Sequence, residues 1–148
     1  MTYLSKPNFV RKAANIASLF FFVFVVVQLL VAAGIIPISM LWGGRQPELT
    51  PALRVTSVAA AVILGAFMYI IRYRAGLVGK MPQPTLIRVA AWVVTGYMVL
   101  NTLGNFASVS NVERFVFGPM TIVLAVTSFI VAASRVGKRP FTPQHTPQ

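Results

Sequence analysis

The residues of this sequence that can do chemistry are a few polar side chains in an otherwise apolar chain. They carry guanidinium, amide or carboxylate groups and fall in two stretches: Arg45, Arg54, Asn101, Asn105, Glu113 and Arg114. Asn101 and Asn105 are four residues apart, so on a helix they share one face. Arginines and carboxylates form charge-assisted pairs, which are stronger in a partly dehydrated setting than in water. We predict that these six residues form a network, and we take them as the candidate ligand-binding residues.

Two interpretations of this network stay open. In the first, Glu48 and Glu113 pair with the arginines only to fasten together the two connections that carry them. In the second, the polar groups line a shallow cavity for a small polar or anionic ligand. In either case Arg54, at a helix boundary, needs a carboxylate, an asparagine carbonyl or a lipid headgroup as its partner.

The sequence lacks the residue combinations of common catalytic and metal-binding sites. It has no cysteine and one histidine, His145, which lies in the proline-rich segment 140–148. There is no nucleophile with a histidine base, no phosphate-binding glycine loop and no metal-ligand spacing. We therefore predict no catalytic residue, no metal ion and no cofactor, and we do not expect an enzyme.

The composition predicts that lipid surrounds most of the chain. Of its 148 residues, 57% are hydrophobic and only 10% are charged, whereas soluble domains carry about 25% charged residues. The formal net charge is +11, but the cations occur singly at the ends of hydrophobic runs. There they favour a bilayer with anionic headgroups as the partner, and we expect no nucleic-acid binding.

Four hydrophobic runs predict an all-α, four-helix transmembrane bundle. They span about residues 13–36, 55–71, 86–106 and 115–133, each near the length that crosses a hydrocarbon core of about 30 Å. Thr50 and Pro51 suit the start of the second helix. The first run is too long for a signal peptide. We predict one transmembrane domain, residues 1–139, followed by a disordered cytoplasmic tail, residues 140–148.

The distribution of cations predicts that both termini are cytoplasmic. The amino-terminal arm, the second connection and the tail hold ten lysines and arginines, whereas the first and third connections hold three. Short cytoplasmic segments carry the excess of cations. All six candidate residues then lie at or near the outer side, and dual-topology insertion is disfavoured.

Small residues at helical spacing predict where the helices pack closely. They form one stripe that follows Arg54 in the second run and one in the fourth run: Ser57, Ala61 and Gly65, and Thr121, Ala125, Ser128 and Ala132. We expect these stripes in the bundle interior, with a dimer surface as the alternative, and we expect Gly96 to serve the same purpose. Gln28, near the middle of the first run, is expected to bond to another helix or, alternatively, to mark a polar pathway.

Several short motifs resemble those of a group of uncharacterised bacterial four-helix membrane proteins. They are Trp42-Gly43-Gly44, Leu53-Arg54, Asn101-Thr102-Leu103-Gly104-Asn105, Ser108, Ser110, Glu113-Arg114 and Pro119. The resemblance covers about residues 10–135 and implies a bacterial inner membrane and no known activity.

Together these observations favour a non-enzymatic integral membrane protein that binds a partner or a small ligand at its outer face. The alternative is a small oligomeric transporter or channel, with Gln28 and the stripe of Ser57, Ala61 and Gly65 beside the pathway. A homo-oligomer and a partner membrane protein both remain open.

Overall fold

The computed structural model describes residues 6–79 and 83–134, and this part of the chain is almost entirely helical. Four helices follow one another: α1 (Pro7–Ala33), α2 (Pro51–Arg74), α3 (Thr85–Ala107) and α4 (Gly118–Ala133). Two short 3-10 turns lie between α1 and α2, and a π-helical turn, Glu113–Phe117, leads directly into α4. Four helical spans, the fourth counted from Glu113, are long and apolar enough to cross a membrane. In the described residues, this confirms the prediction of an all-α fold with four helices long and apolar enough to span a membrane; the proposed tail, residues 140–148, lies outside the described residues.

The helix ends follow from capping chemistry. Helix α1 begins at Pro7, earlier than the hydrophobic run. The run starts later than the helix because the first turns of the helix carry polar residues such as Arg11 and Lys12. The helix ends at Ala33, and the left-handed backbone of Gly34 (φ 80°) turns the chain so that the Ile35 N–H bonds to the Leu30 carbonyl at 2.9 Å. At the start of α2, the Thr50 hydroxyl accepts a hydrogen bond from the Leu53 N–H (3.3 Å), as expected for an N-cap followed by proline.

The helices are arranged in the order α2, α1, α4, α3 around the bundle. Helix α2 packs mainly on α1, α3 packs mainly on α4, and α1 and α4 join the two pairs. Helices α2 and α3 meet only slightly, so the ring is loosest between them.

The small-residue stripes lie largely in the interior, as internal packing requires. Ser57, Ala61, Thr121 and Ser128 are buried, and helices approach closely where such residues face each other. Gly96 is different: it is exposed, and a Cβ placed on it would meet no atom within 4 Å. The expectation that Gly96 serves close helix packing inside the bundle is therefore wrong.

Aromatic rings form a layer halfway along the helices. Phe67 of α2 contacts Phe21 of α1 (ring centroids 6.3 Å apart) and Tyr97 of α3 (5.2 Å). Both contacts are edge-to-face, an arrangement that stabilises aromatic pairs beyond simple burial.

At the predicted inner end, Arg74 fastens three helices together. Its guanidinium donates hydrogen bonds to the Ser134 carbonyl after α4 and to the Gln83 side-chain oxygen before α3 (3.1 Å). Gln83 in turn donates to the Tyr73 carbonyl (2.8 Å). Arg74 is buried, and it satisfies carbonyls that helix ends leave without a partner.

Candidate functional site

The candidate site lies at the opposite, predicted outer end, where the connection 34–50 meets the connection 108–112. The Gly43 N–H donates to the Glu113 carboxylate oxygen Oε2 (2.9 Å), and the Ser110 hydroxyl donates to the Met40 carbonyl (2.8 Å). The Val109 N–H also points to the Gly43 carbonyl (3.4 Å). These bonds join segments about 70 residues apart, so the two connections form one unit.

The close approach of the two connections depends on Gly44. Its φ of 69° is left-handed, and a Cβ added there would lie 2.8 Å from the Ser110 nitrogen. Trp42 also has a positive φ, 56°, which is uncommon for a residue with a bulky side chain. Its indole N–H donates to the Ser57 hydroxyl of α2 (3.3 Å), and this bond helps to hold the unusual conformation.

Glu113 is buried at the start of the π-helical turn and is held by neutral donors. Besides the Gly43 N–H, the Ser108 hydroxyl donates to the same oxygen, Oε2. The Ser108 hydroxyl oxygen accepts from the Ser110 N–H (2.9 Å), which fixes its direction. The other carboxylate oxygen, Oε1, accepts no hydrogen bond from any residue in the described part of the chain.

The arginines of the predicted network bind backbone carbonyls instead of carboxylates. Arg54 donates to the Ala32 carbonyl at the end of α1 (2.9 Å), and Arg114 donates to the Ser108 carbonyl at the end of α3 (2.8 Å). Arg45 is exposed. The expected pairing of Glu48 and Glu113 with these arginines is thus wrong within residues 6–79 and 83–134. The physical reason is that helix ends offer unpaired carbonyls, which lie within reach of these guanidinium groups and accept their hydrogen bonds.

Below the joined connections lies a cavity of about 470 Å³. Helices α1, α2 and α3, the Trp42–Gly43 segment and the π-helical turn line it. It extends from Trp42 down to Ile63 and Tyr97, which lie at the midpoints of α2 and α3. The aromatic layer of Phe21, Phe67 and Tyr97 lies at its inner end.

The cavity is open between α2 and α3, where the two helices barely touch. Several of its lining residues remain exposed on facing sides of this gap, among them Thr56, Ile63, Tyr97 and Gly104. This surface belongs to the apolar spans, so the opening faces the region where lipid chains lie.

Gln28 lines the cavity from α1, and its side-chain oxygen is buried without a hydrogen-bond partner. The interhelical bond expected of it is therefore not formed to any described residue. Buried polar groups are almost always hydrogen-bonded, so an exception calls for an explanation. Gln28 also lines the cavity, so a rotation of its side chain would bring the amide to a position where a ligand can satisfy it.

Three of the six predicted site residues line this cavity: Asn101, Asn105 and Glu113. Arg45, Arg54 and Arg114 do not. The sequence-based site omitted Gln28, Trp42 and Tyr97. Of these, Gln28 and Tyr97 carried a signal, a polar group near the middle of a hydrophobic run, whereas Trp42 is indistinguishable in sequence from a ring that anchors a helix end at the headgroups.

The lining is mostly apolar, with one carboxylate and the amides of Gln28, Asn101 and Asn105. Such a wall binds ligands by shape, hydrogen bonds and charge. Among the described residues there is no group of three or more histidine, aspartate or glutamate side chains that would hold a metal ion.

Comparison with known proteins gives no further lead: no family model, curated protein or solved structure matches the chain. The class that the geometry defines is a four-helix membrane protein with a cavity in one half of the bundle. The resemblance carried by motifs such as Trp42-Gly43-Gly44 stays a prediction.

Proposed function

We propose that this is a non-enzymatic, multi-pass protein of a bacterial inner membrane that binds a small ligand in its outer cavity. The observation that carries the proposal is the cavity itself, about 470 Å³, whose wall includes Gln28 with a buried side-chain oxygen that lacks a partner. Ligand pockets have volumes of roughly 300–1,000 Å³ and combine apolar walls with a few directed polar groups.

A purely structural role explains only part of the polar cluster. The hydrogen bonds among Gly43, Ser108, Ser110 and Glu113 already fasten the two connections. Gln28 takes no part in them, although burying an unsatisfied amide costs free energy. A ligand that bonds to Gln28 offsets this cost, whereas the hydrogen bonds that join the two connections do not.

The opening between α2 and α3 favours entry of the ligand from the membrane. Exposed residues such as Ile63 and Gly104 border the gap at a depth that lipid chains occupy. A water-soluble ligand would instead have to pass the hydrogen-bonded connections above. The proposed ligand is therefore an amphiphile or a lipid-soluble molecule.

Native mass spectrometry of protein released gently from membranes tests this function. Ala60→Phe places a ring in the cavity, and Ala66→Phe places the same ring on the exposed side of α2, away from the lining. We expect a bound mass on wild type and on Ala66→Phe that is absent from Ala60→Phe. A bare wild-type protein, or the same bound mass on all three proteins, would contradict the proposal.

The variant Arg54→Ala tests whether the ligand binds in this cavity or at the arginine network predicted from the sequence. Arg54 binds the Ala32 carbonyl and does not line the cavity. The bound mass should therefore survive Arg54→Ala, and its loss in a folded variant would return the arginines to the site.

The orientation with both termini in the cytoplasm is part of the proposal, and the cation distribution supports it. Because the chain has no cysteine, single cysteines report their side directly. Gln46→Cys and Asn8→Cys are at exposed positions of opposite ends. An impermeant maleimide should label Gln46→Cys in intact cells and Asn8→Cys only after permeabilisation; the reverse pattern would invert the topology.

A further inference from the structure

We propose that the ligand is a lipophilic cation, with an ammonium head near Glu113 and an apolar body in the gap between α2 and α3. This inference rests on the proposed function, because it names the class of ligand for the same cavity. It also replaces the anionic ligand that the arginines in the sequence suggested.

The charge of the cavity wall is the first argument. Glu113 is the only acidic or basic side chain among the residues that line it. The chain as a whole carries +11, yet none of its described arginines or lysines lines the cavity. An anion placed there would face a carboxylate of the same sign, and such repulsion is strong where water is partly excluded.

The bonding of Glu113 is the second argument. Both neutral donors, the Gly43 N–H and the Ser108 hydroxyl, bind Oε2, and Oε1 accepts nothing from the described residues. A buried carboxylate is favourable only when a cation or several hydrogen bonds compensate its charge. No described arginine fills that role, so a cationic ligand would complete the site.

The remaining groups of the wall suit an ammonium ion as well. The rings of Trp42 and Tyr97 line the cavity, and Phe24 and Phe117 lie against each other beside it (5.2 Å between centroids). Aromatic faces attract cations within about 6 Å. Gln28 also lines the cavity, and a rotation of its side chain would bring the amide oxygen to where it can accept an N–H from a primary amine.

The gap between the helices accounts for the apolar body of the ligand. Ala59, Ala60, Ile63 and Gly104 border it and present no polar side-chain atom. An alkyl or aryl group can lie there between protein and lipid while its charged head reaches inward, as long cationic side chains do at membrane interfaces.

Tryptophan fluorescence provides the test, because the chain has two tryptophans and only Trp42 lines the cavity. Trp92 packs on Phe129 instead (5.6 Å between centroids). In the variant Trp92→Phe, Trp42 is therefore the single fluorescent reporter of the cavity. In the variant Trp42→Phe, Trp92 reports unspecific partition of the probe into the micelle. Both proteins, in micelles of an uncharged maltoside detergent, are titrated with bromoundecylammonium, bromoundecanol and bromoundecanoate, whose bromine quenches indole on contact.

We expect the cation to quench Trp42 saturably, and the alcohol and the anion to quench Trp42 no more than they quench Trp92. In the Trp92→Phe background, Glu113→Gln should weaken binding of the cation by about tenfold or more, because it removes a charge-assisted contact. The glutamine oxygen can still accept from the Gly43 N–H. If that variant does not fold, Gln28→Met, which leaves Glu113 in place, should weaken binding severalfold.

Three results would overturn the inference. One is saturable quenching by the anion or the alcohol at least as strong as by the cation, which leaves the cavity as a binding site for another class of ligand. The second is equal affinity for the cation in wild type and in folded Glu113→Gln. The third is linear quenching of both tryptophans by all three probes. In that case, the mass-spectrometric comparison of Ala60→Phe with Ala66→Phe decides separately whether the proposed function also fails.

Competition distinguishes two sources of the cation. Lysophosphatidylethanolamine carries an ammonium group on a lipid, and lysophosphatidylglycerol lacks it. Displacement of the quencher by the first and not by the second identifies a lipid headgroup as the occupant. Displacement by neither, with binding of the cation intact, identifies a free organic cation.

Discussion

Replacing Gln28 by methionine tests whether this side chain stabilises the folded bundle or is left unsatisfied when no ligand is bound. Methionine has nearly the length of glutamine but no polar group, so the wall of the cavity keeps its shape. Gln28 forms no hydrogen bond to a described residue, and its side-chain oxygen is buried. The substitution therefore removes a polar group that the ligand-free protein does not satisfy.

The magnitude follows from the cost of burying an unpaired polar atom, about 1–3 kcal/mol in mutational series. The open side of the cavity lets the rest of the amide reach solvent, which favours the lower half of that range. We therefore expect Gln28→Met to raise the free energy of unfolding by about 1–2 kcal/mol. At about 2–4 °C per kcal/mol for a chain of this size, the melting temperature should rise by roughly 2–8 °C.

The assay is thermal unfolding of ligand-free protein in detergent, followed by far-ultraviolet circular dichroism. Leu29→Met is the matched control, because Leu29 is exposed next to Gln28 on the lipid-facing side and should change little. A polar residue that bonds across helices would give the opposite sign, a loss of about 0.6–2 kcal/mol. Such a loss in Gln28→Met would refute the reasoning and restore the packing role expected from the sequence.

Two pairs of substitutions test the ends of the bundle by the same unfolding measurement. Gly44→Ala should lower the free energy of unfolding by about 2–3 kcal/mol, since its Cβ would lie 2.8 Å from the Ser110 nitrogen. Gly43→Ala, with φ 81° but nothing within 4 Å, should lose only about 1 kcal/mol; equal losses would contradict the close approach. Arg74→Met should lose about 3 kcal/mol because Arg74 joins the ends of three helices. Arg72→Met, which removes one long bond (3.4 Å) to a serine hydroxyl, should lose less than about 1 kcal/mol, and the reverse order would contradict the assigned contacts.

Hydropathy predicts the helices of this protein well because lipid requires runs of a fixed length. It predicts their ends less well. Helix α1 begins at Pro7, before the hydrophobic run, and ends at Ala33, before Pro37. Caps and polar first turns set these ends through local hydrogen bonds, which a hydropathy average does not contain.

The candidate site could be predicted only for residues whose position along a helix also determines what they face. Asn101 and Asn105 share one face by their spacing, and both line the cavity. Arg54 lies at the correct depth but turns to the Ala32 carbonyl, because sequence reveals the charges and not the unpaired carbonyls at helix ends. The bond between Gly43 and Glu113 joins positions 70 residues apart, and only the packing of the helices brings them together.

The aromatic layer yields a last prediction, which separates a binding protein from a transporter. The cavity ends where Phe67 contacts Phe21 and Tyr97, at the midpoint of the helices. A solute that enters from the outer end or from the lipid meets these rings, and moving them apart would break contacts worth about 0.5–1.5 kcal/mol each beyond their burial.

We therefore expect proteoliposomes of wild-type protein to show no uptake of a radiolabelled lipophilic cation above that of protein-free vesicles. Phe67→Ala should deepen the cavity without opening the inner end, where Arg74 still closes α2 against α4; it should change binding rather than flux. Wild-type flux that disappears in Glu113→Gln or Gln28→Met would show that the layer opens during function. The cavity would then be the outward-facing half of a transport pathway, and the binding role proposed here would be one step of that cycle.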